Sequence, residues 1–162
     1  MRVSWGFDAH RFGGSPPVVL AGVVVDTERG VKATSDGDLV AHAVADAVLG
    51  AAGLGDLGAH FPSSDPQWGG ADSMDLLGRV VEMCSNIDIL FVDVTVVAEH
   101  VRVAPHRQAM QAKLAEVLRL DPARLSIKAT TTDGMGSIGA GEGMAATAVV
   151  TAATTPSNGE AT

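Results

Sequence analysis

The spacing of apolar positions changes along the chain, and each change marks an element. From about residue 2 to 12, apolar and polar residues alternate. Val3, Trp5, Phe7 and Ala9 share one parity, and Ser4, Gly6, Asp8 and His10 the other. A period of two is that of a strand, whose successive side chains leave opposite faces. Val3, Trp5, Phe7 and Ala9 are therefore expected to face a core, with Asp8 and His10 side by side on the other face. A Gly-Gly-Ser-Pro-Pro turn follows, and Val18–Ala21 and Val23–Val25 around Gly22 predict a short hairpin. Ser35-Asp36-Gly37-Asp38 offers the oxygen side chains that cap a helix start, and an alanine-rich run continues to about Ala52 and stops at Gly53. Leu76, Leu77, Val80, Val81 and Cys84 recur at helical spacing, predicting a second helix over 73–86, and Pro105 to Leu120 predicts a third. Strands are expected over 88–99, Leu125–Thr132 and Met144–Ala153. The residues from 154 to 162 carry no pattern and are expected to be disordered.

The strands at 88–99 and 144–153 are apolar on both faces, but three helices can cover only one face of a sheet. An exposed apolar face in a monomer is unfavourable, so a closed homo-oligomer with its sheets facing inward is expected.

Composition narrows the function classes. Aromatic residues make up 4% of the 162 residues, with no tyrosine, so aromatic platforms for stacked bases are not expected. The formal charge of −8 excludes binding of nucleic acid through a general phosphate field. A phosphorylated ligand must then be met by local cations or free amides. Cys84 is the single cysteine, so no intrachain disulfide forms, and in its helical setting it reads as a small core residue. With no signal peptide and no bilayer-length apolar run, a soluble cytoplasmic protein without a membrane partner is expected.

Against that background the candidate chemistry stands out. Asp8 and His10 project from one strand face, and His42 lies in the alanine-rich helix. Three protein ligands with one open position are the arrangement of a catalytic zinc. Taken singly, each is as ordinary as any surface carboxylate or satisfied histidine. Asp38, His42 and Asp46, four residues apart, form one polar stripe on an apolar helix, and Asp46 could orient the His42 ring. The stretch 54–72 is long for a structureless loop, and long loops are usually functional. Its Asp56-Leu-Gly58 and Phe61-Pro-Ser-Ser-Asp65 suit polyol hydroxyls, although turns use the same residues. Thr130-Thr131-Thr132-Asp133 could hold phosphate oxygens and a magnesium ion, or be plain strand formers. Gly139-Ala-Gly-Glu-Gly143 is a weak phosphate signal.

Ordered motifs carry a closer resemblance. They are Gly6-Phe-Asp-Ala-His-Arg-Phe12, Ser35-Asp-Gly-Asp-Leu-Val-Ala-His42, Asp46-Ala-Val-Leu-Gly50, Gly55-Asp-Leu-Gly58, Phe61-Pro62, Gly70-Ala-Asp-Ser73, Val92-Asp-Val-Thr95, Lys128-Ala-Thr-Thr-Thr132 and Gly141-Glu-Gly143. From about residue 2 to 153 the chain resembles the 2-C-methyl-D-erythritol 2,4-cyclodiphosphate synthases of the non-mevalonate isoprenoid pathway. Pattern and resemblance together predict an α/β fold of the α+β sandwich kind. It has a mixed four-stranded sheet with helices on one face and a small N-terminal hairpin, in one domain over 1–153.

The resemblance implies a homotrimer with active sites between subunits. It implies zinc on Asp8, His10 and His42, and magnesium or manganese at Asp133. The implied reaction is attack of the 2-phosphate of 4-diphosphocytidyl-2-C-methyl-D-erythritol 2-phosphate on its β-phosphate, with loss of CMP. Thr131 and position 34 would stabilise the transition state. Asp56 and the Gly58 amide would hold erythritol hydroxyls, with Ser63 and Asp65 nearby, and Ala98 to Ala104, including Arg102 and Val103, would form the cytidine pocket. Ser35, Leu57, Phe61, Thr130, Thr132, Ser137 and Ala140 complete the implied substrate contacts.

The chain also departs from the family pattern. Thr34 stands where the family usually has histidine, which implies a slower enzyme. Ser4 and Val101 replace a glycine and a proline. Ser137 and Ala140 replace an aromatic residue and the arginine of an anion site in the trimer cavity, which argues against an isoprenoid diphosphate there. Thr34 and Ala140 also fit a non-catalytic, metal-binding trimeric paralogue or ligand sensor, and a third reading is a zinc phosphoesterase that uses a metal-bound water.

Overall fold

The protein is described by a computed structural model covering residues 1–154. The expected tail beyond Thr154 lies outside the described residues, and Thr154 itself closes the last strand. In chain order the elements are β1 (Arg2–Arg11), β2 (Val18–Leu20), β3 (Val23–Asp26), α1 (Leu39–Ala52), α2 (Leu57–His60), α3 (Ser73–Met83), β4 (Ile87–Val97), α4 (Arg107–Leu118), β5 (Leu125–Thr130), α5 (Gly136–Gly139) and β6 (Gly143–Thr154). The main sheet runs β1-β6-β4-β5, with β4 and β5 parallel and the other pairs antiparallel. β2 and β3 form a separate hairpin. The mixed four-stranded sheet, the hairpin and the helices on one face all match the expectation.

The helix α1 forms where the apolar run begins, because Asp38 caps it. The Asp38 carboxylate accepts from the amides of Val40 and Ala41, and Gly53 closes the far end in the left-handed region at φ 78°. Asp38 also accepts from the Gly22 amide at 2.7 Å, which ties the β2–β3 turn to the start of α1. It is fully buried rather than part of a solvated polar stripe, and burial pushes its carboxyl up to about 6. Val44, Val48 and Leu49 of α1 are inaccessible to solvent, and each contributes about 1.5–3 kcal/mol by leaving water.

The strand β1 reverses one expectation. Val3, Trp5 and Phe7 are 69%, 62% and 48% exposed, while the Ser4–Gly6–Asp8–His10 face turns toward α1. Gly6 sets this orientation. A Cβ there would lie 2.0 Å from the Ala43 carbonyl oxygen, so the helix backbone rests directly on the strand. The alternation defined two faces, but helix contact selected the one with glycine rather than the one with large apolar groups. The other face of the sheet is uncovered, and it presents Val3, Trp5, Phe7 and Phe91 to solvent.

The stretch 54–72 is less structureless than its composition implied. Asp56 caps α2, and Asp65 caps a single 3-10 turn over Pro66–Trp68. Among the described residues no helix is long and apolar enough to cross a membrane.

Candidate metal centre and substrate cleft

Three side chains from two elements meet where the end of β1 passes the first turn of α1. Asp8 and His10 are two apart on one strand, so they leave the same face. His42 sits on the first turn of α1, its amide donating to the Asp38 carbonyl. The Asp8 Oδ2 atom lies 2.8 Å from His42 Nδ1 and 3.1 Å from His10 Nε2. All three ligand atoms lie within 4.8 Å of one another. His10 Nε2 is buried without a hydrogen-bond partner. Such an atom is costly unless something else engages it. Two imidazole nitrogens and a carboxylate oxygen, converging with an unpartnered nitrogen among them, fit a divalent ion that takes nitrogen and oxygen ligands.

The electrostatics agree with that geometry. Burial alone would raise the Asp8 carboxyl, but the two imidazoles beside it, His10 and His42, outweigh it and hold Asp8 well below the carboxylate range. Burial likewise opposes the charged form of His42, and the Asp8 carboxylate beside it lifts the imidazole above its ordinary value.

Asp46 does not take the role expected of it. Its carboxylate accepts from the Leu57 amide at 2.7 Å and anchors the start of α2. The far nitrogen of His42 instead lies 2.9 Å from the Ser73 hydroxyl and 3.3 Å from that of Ser35. This contact of Ser73 is not legible in the sequence, because a serine at a helix start looks like a local cap.

The cluster opens into a cleft of about 230 Å³, lined by His10, His42, Thr34, Ser35, Leu57, Gly58, Phe61 and Ser63. These expected substrate residues are brought together in one chain. Trp68, which the sequence reading passed over, also lines the cleft. It meets the Phe61 ring edge-on at 5.0 Å, and the Arg79 guanidinium lies 5.6 Å from its centre. Asp56 and Asp65 are not among the lining residues. Their carboxylates accept from the amides of Ala59 and Gln67 as local caps.

The remaining expected residues lie elsewhere. His10 pairs with Met144, Ala145 with Val97, and Val97 with Thr130. Thr130 is thus at the same end of the sheet as His10 but three strand steps away, about 14 Å at the usual strand spacing. There Glu99, another residue the sequence reading missed, organises the turn after β5. It accepts from the Thr132 amide at 2.8 Å, the Thr132 hydroxyl at 2.9 Å and the Gly134 amide at 3.3 Å. These donors, the Thr132 amide first, lower the Glu99 carboxyl. Thr131 donates to Asp133 at 3.2 Å, and Asp133 holds φ 52°, a left-handed conformation that acidic side chains tolerate. Thr131 and Asp133 are exposed. Ala98 and Val103 are buried beyond the end of β4, whereas Arg102 and Ala104 are exposed. Ser137 lines a smaller cavity with Arg11 and Glu142 that shares His10 with the cleft, and Ala140 is exposed.

Comparison with known proteins matches this layout. The YgbB family profile matches residues 1–153. A 2-C-methyl-D-erythritol 2,4-cyclodiphosphate synthase of Symbiobacterium thermophilum is 48% identical over 151 residues, covering 92% of this chain and 96% of that protein. The structure of a 2C-methyl-D-erythritol-2,4-cyclodiphosphate synthase in its CDP-bound form superposes with a TM-score of 0.84 at 31% identity, covering 94% of this chain and all of that one. The bifunctional IspDF of Campylobacter jejuni superposes with a TM-score of 0.91 at 41% identity, and this chain spans 42% of its length. With the profile matched along the folded residues and the fold shared, the chain belongs to the YgbB family.

Proposed function

We propose that the chain converts 4-diphosphocytidyl-2-C-methyl-D-erythritol 2-phosphate to 2-C-methyl-D-erythritol 2,4-cyclodiphosphate and CMP, as a cyclising phosphorus–oxygen lyase. One observation carries this reading: the Asp8–His10–His42 cluster opens into a cleft with Ser35, Gly58 and Ser63 on its wall. In the reaction an oxygen of the 2-phosphate bonds to the β-phosphorus. The bridging bond between the α- and β-phosphates breaks, and CMP leaves with the bridging oxygen. The barrier is one of bringing two anions together in line, so positioning and charge neutralisation dominate it. When bound, zinc at Asp8, His10 and His42 and magnesium or manganese at Asp133 supply that neutralisation. The chain's own groups do the rest. Ser35, Ser63 and the Gly58 amide orient the erythritol hydroxyls and phosphate, and Leu57 and Phe61 limit water. Thr131, exposed at the end of β5, offers its hydroxyl to phosphoryl oxygens, and residues 98–104 receive the cytidine.

A homotrimer with active sites between subunits, in the cytoplasm, completes the proposal. Its support is the separation of the two groups of residues at opposite sheet edges, together with the uncovered face of Val3, Trp5, Phe7 and Phe91. Neither edge alone holds both the erythritol cleft and the cytidine residues. A rotated neighbour can set one edge against the other.

The test is incubation of the purified protein with the cytidylylated substrate, zinc and magnesium, followed by phosphorus NMR. CMP with a cyclic diphosphate is expected. Inorganic phosphate or linear products would indicate a phosphoesterase, and unchanged substrate a non-catalytic paralogue.

A further inference from the structure

Ser73 is the first residue of α3, but it does not cap that helix. The cap is Asp72, whose carboxylate accepts from the amides of Met74 and Asp75. The Ser73 hydroxyl is therefore free for another task, and the side chain is buried, with 1% of the residue exposed. It lies 2.9 Å from His42 Nε2 and donates its single proton to Asp36 Oδ1. The Asp36 carboxylate is held in turn by the amides of Ser73 and Asp38, each at 3.1 Å. With its proton given to Asp36, the Ser73 oxygen can only accept from His42. The Nε2 atom must then carry a proton, so the nitrogen that can give up its proton to a metal ion is Nδ1, which faces Asp8 at 2.8 Å. Ser35 is a poorer partner, 3.3 Å from the same nitrogen, and its oxygen already receives the Gly37 amide.

We infer that Ser73, oriented by Asp36, is a positioning residue that fixes the tautomer and ring orientation of His42 and so presents Nδ1 to the metal ion. The inference rests on the reading that His42 is a ligand. Partners on the far nitrogen of a ligating histidine typically govern metal affinity 10- to 100-fold.

Zinc affinity measured by competition with a chromophoric chelator tests this, comparing the wild type with Ser73→Ala. The variant should bind zinc about 10- to 100-fold more weakly, with an unchanged circular dichroism spectrum. A folded variant that binds zinc as tightly as the wild type overturns the inference and leaves the ligand reading standing. A wild type that takes up no zinc removes both. Nitrogen-15 NMR of the zinc-loaded wild type decides the matter without any variant. A protonated Nε2 on His42 is expected, and a protonated Nδ1 overturns the inference.

Discussion

The two edges of the sheet are built to different standards. At the β1 edge, Asp8, His10 and His42 are partly buried and braced by the backbone of α1 through Gly6, and His42 is held by Ser73 and, through it, Asp36. At the β5 edge, Thr131 and Asp133 are exposed, and Glu99 is the side chain that braces their turn. The first group is preorganised within one chain, and the second lies open at the surface. Charged ligands to an ion need a rigid shell. A turn that meets a flexible nucleotide can take its final shape on contact.

Breaking the braced edge should have the largest effect. His42→Ala should lose zinc and about 10³-fold in turnover, equivalent to roughly 4 kcal/mol of charge stabilisation. Zinc content and CMP release check this, and full zinc stoichiometry in the variant would refute the ligand assignment. Gly6→Ala forces a methyl group into the Ala43 carbonyl and should destabilise the fold by about 3 kcal/mol. Chemical denaturation measures it, and an unchanged midpoint would mean that α1 can withdraw from the strand without cost.

Protons should compete with the ion at the same edge. Asp8 is depressed, so in the metal-free protein its contribution to stability is present above the ordinary carboxyl value of 3.8 and lost as pH falls through its folded value. His42 is raised, so its contribution is present below 6.5 and lost as pH rises through its folded value. The charged pair therefore stabilises the metal-free chain between about 3.8 and 6.5, where it opposes an ion that needs neutral imidazole. Zinc affinity should rise about tenfold per pH unit until His42 is neutral, with one proton released on binding. Calorimetry in buffers of different ionisation enthalpy reads the proton count.

The β5 edge should respond more mildly. Glu99→Ala frees the turn and should lower kcat about tenfold, roughly 1.4 kcal/mol, with zinc content unchanged. Loss of zinc in that variant would mean that the two edges are not independent. The smallest effect is expected from Thr34→His, which restores one donor at the cleft mouth and should raise the rate a few-fold. An unchanged rate would mean that other residues have compensated.

Much of the braced edge was legible in the chain, because Asp8 and His10 share a parity and His42 follows a recognisable cap. The covered face of β1 was not. Large apolar groups and a glycine are both compatible with burial, and only the close approach of Ala43 decides between them. Ser73 was hidden because it is 31 residues from His42 and stands where a cap would stand. Asp46 was misread because spacing along a helix does not reveal that the Leu57 amide arrives first. The separation of the two edges could not be read from chain order either, since β6, last in sequence, is inserted between β1 and β4.

The bare side of the sheet has a practical consequence. A lone chain that turns Trp5, Phe7 and Phe91 toward water gains free energy whenever those rings are covered. Its melting temperature should therefore climb as the solution becomes more concentrated. If the proposed trimer carries the activity, extreme dilution should abolish turnover before it unfolds β1 and α1, because the proposed site draws on a neighbouring subunit whereas the Asp8–His10–His42 cluster forms within one chain.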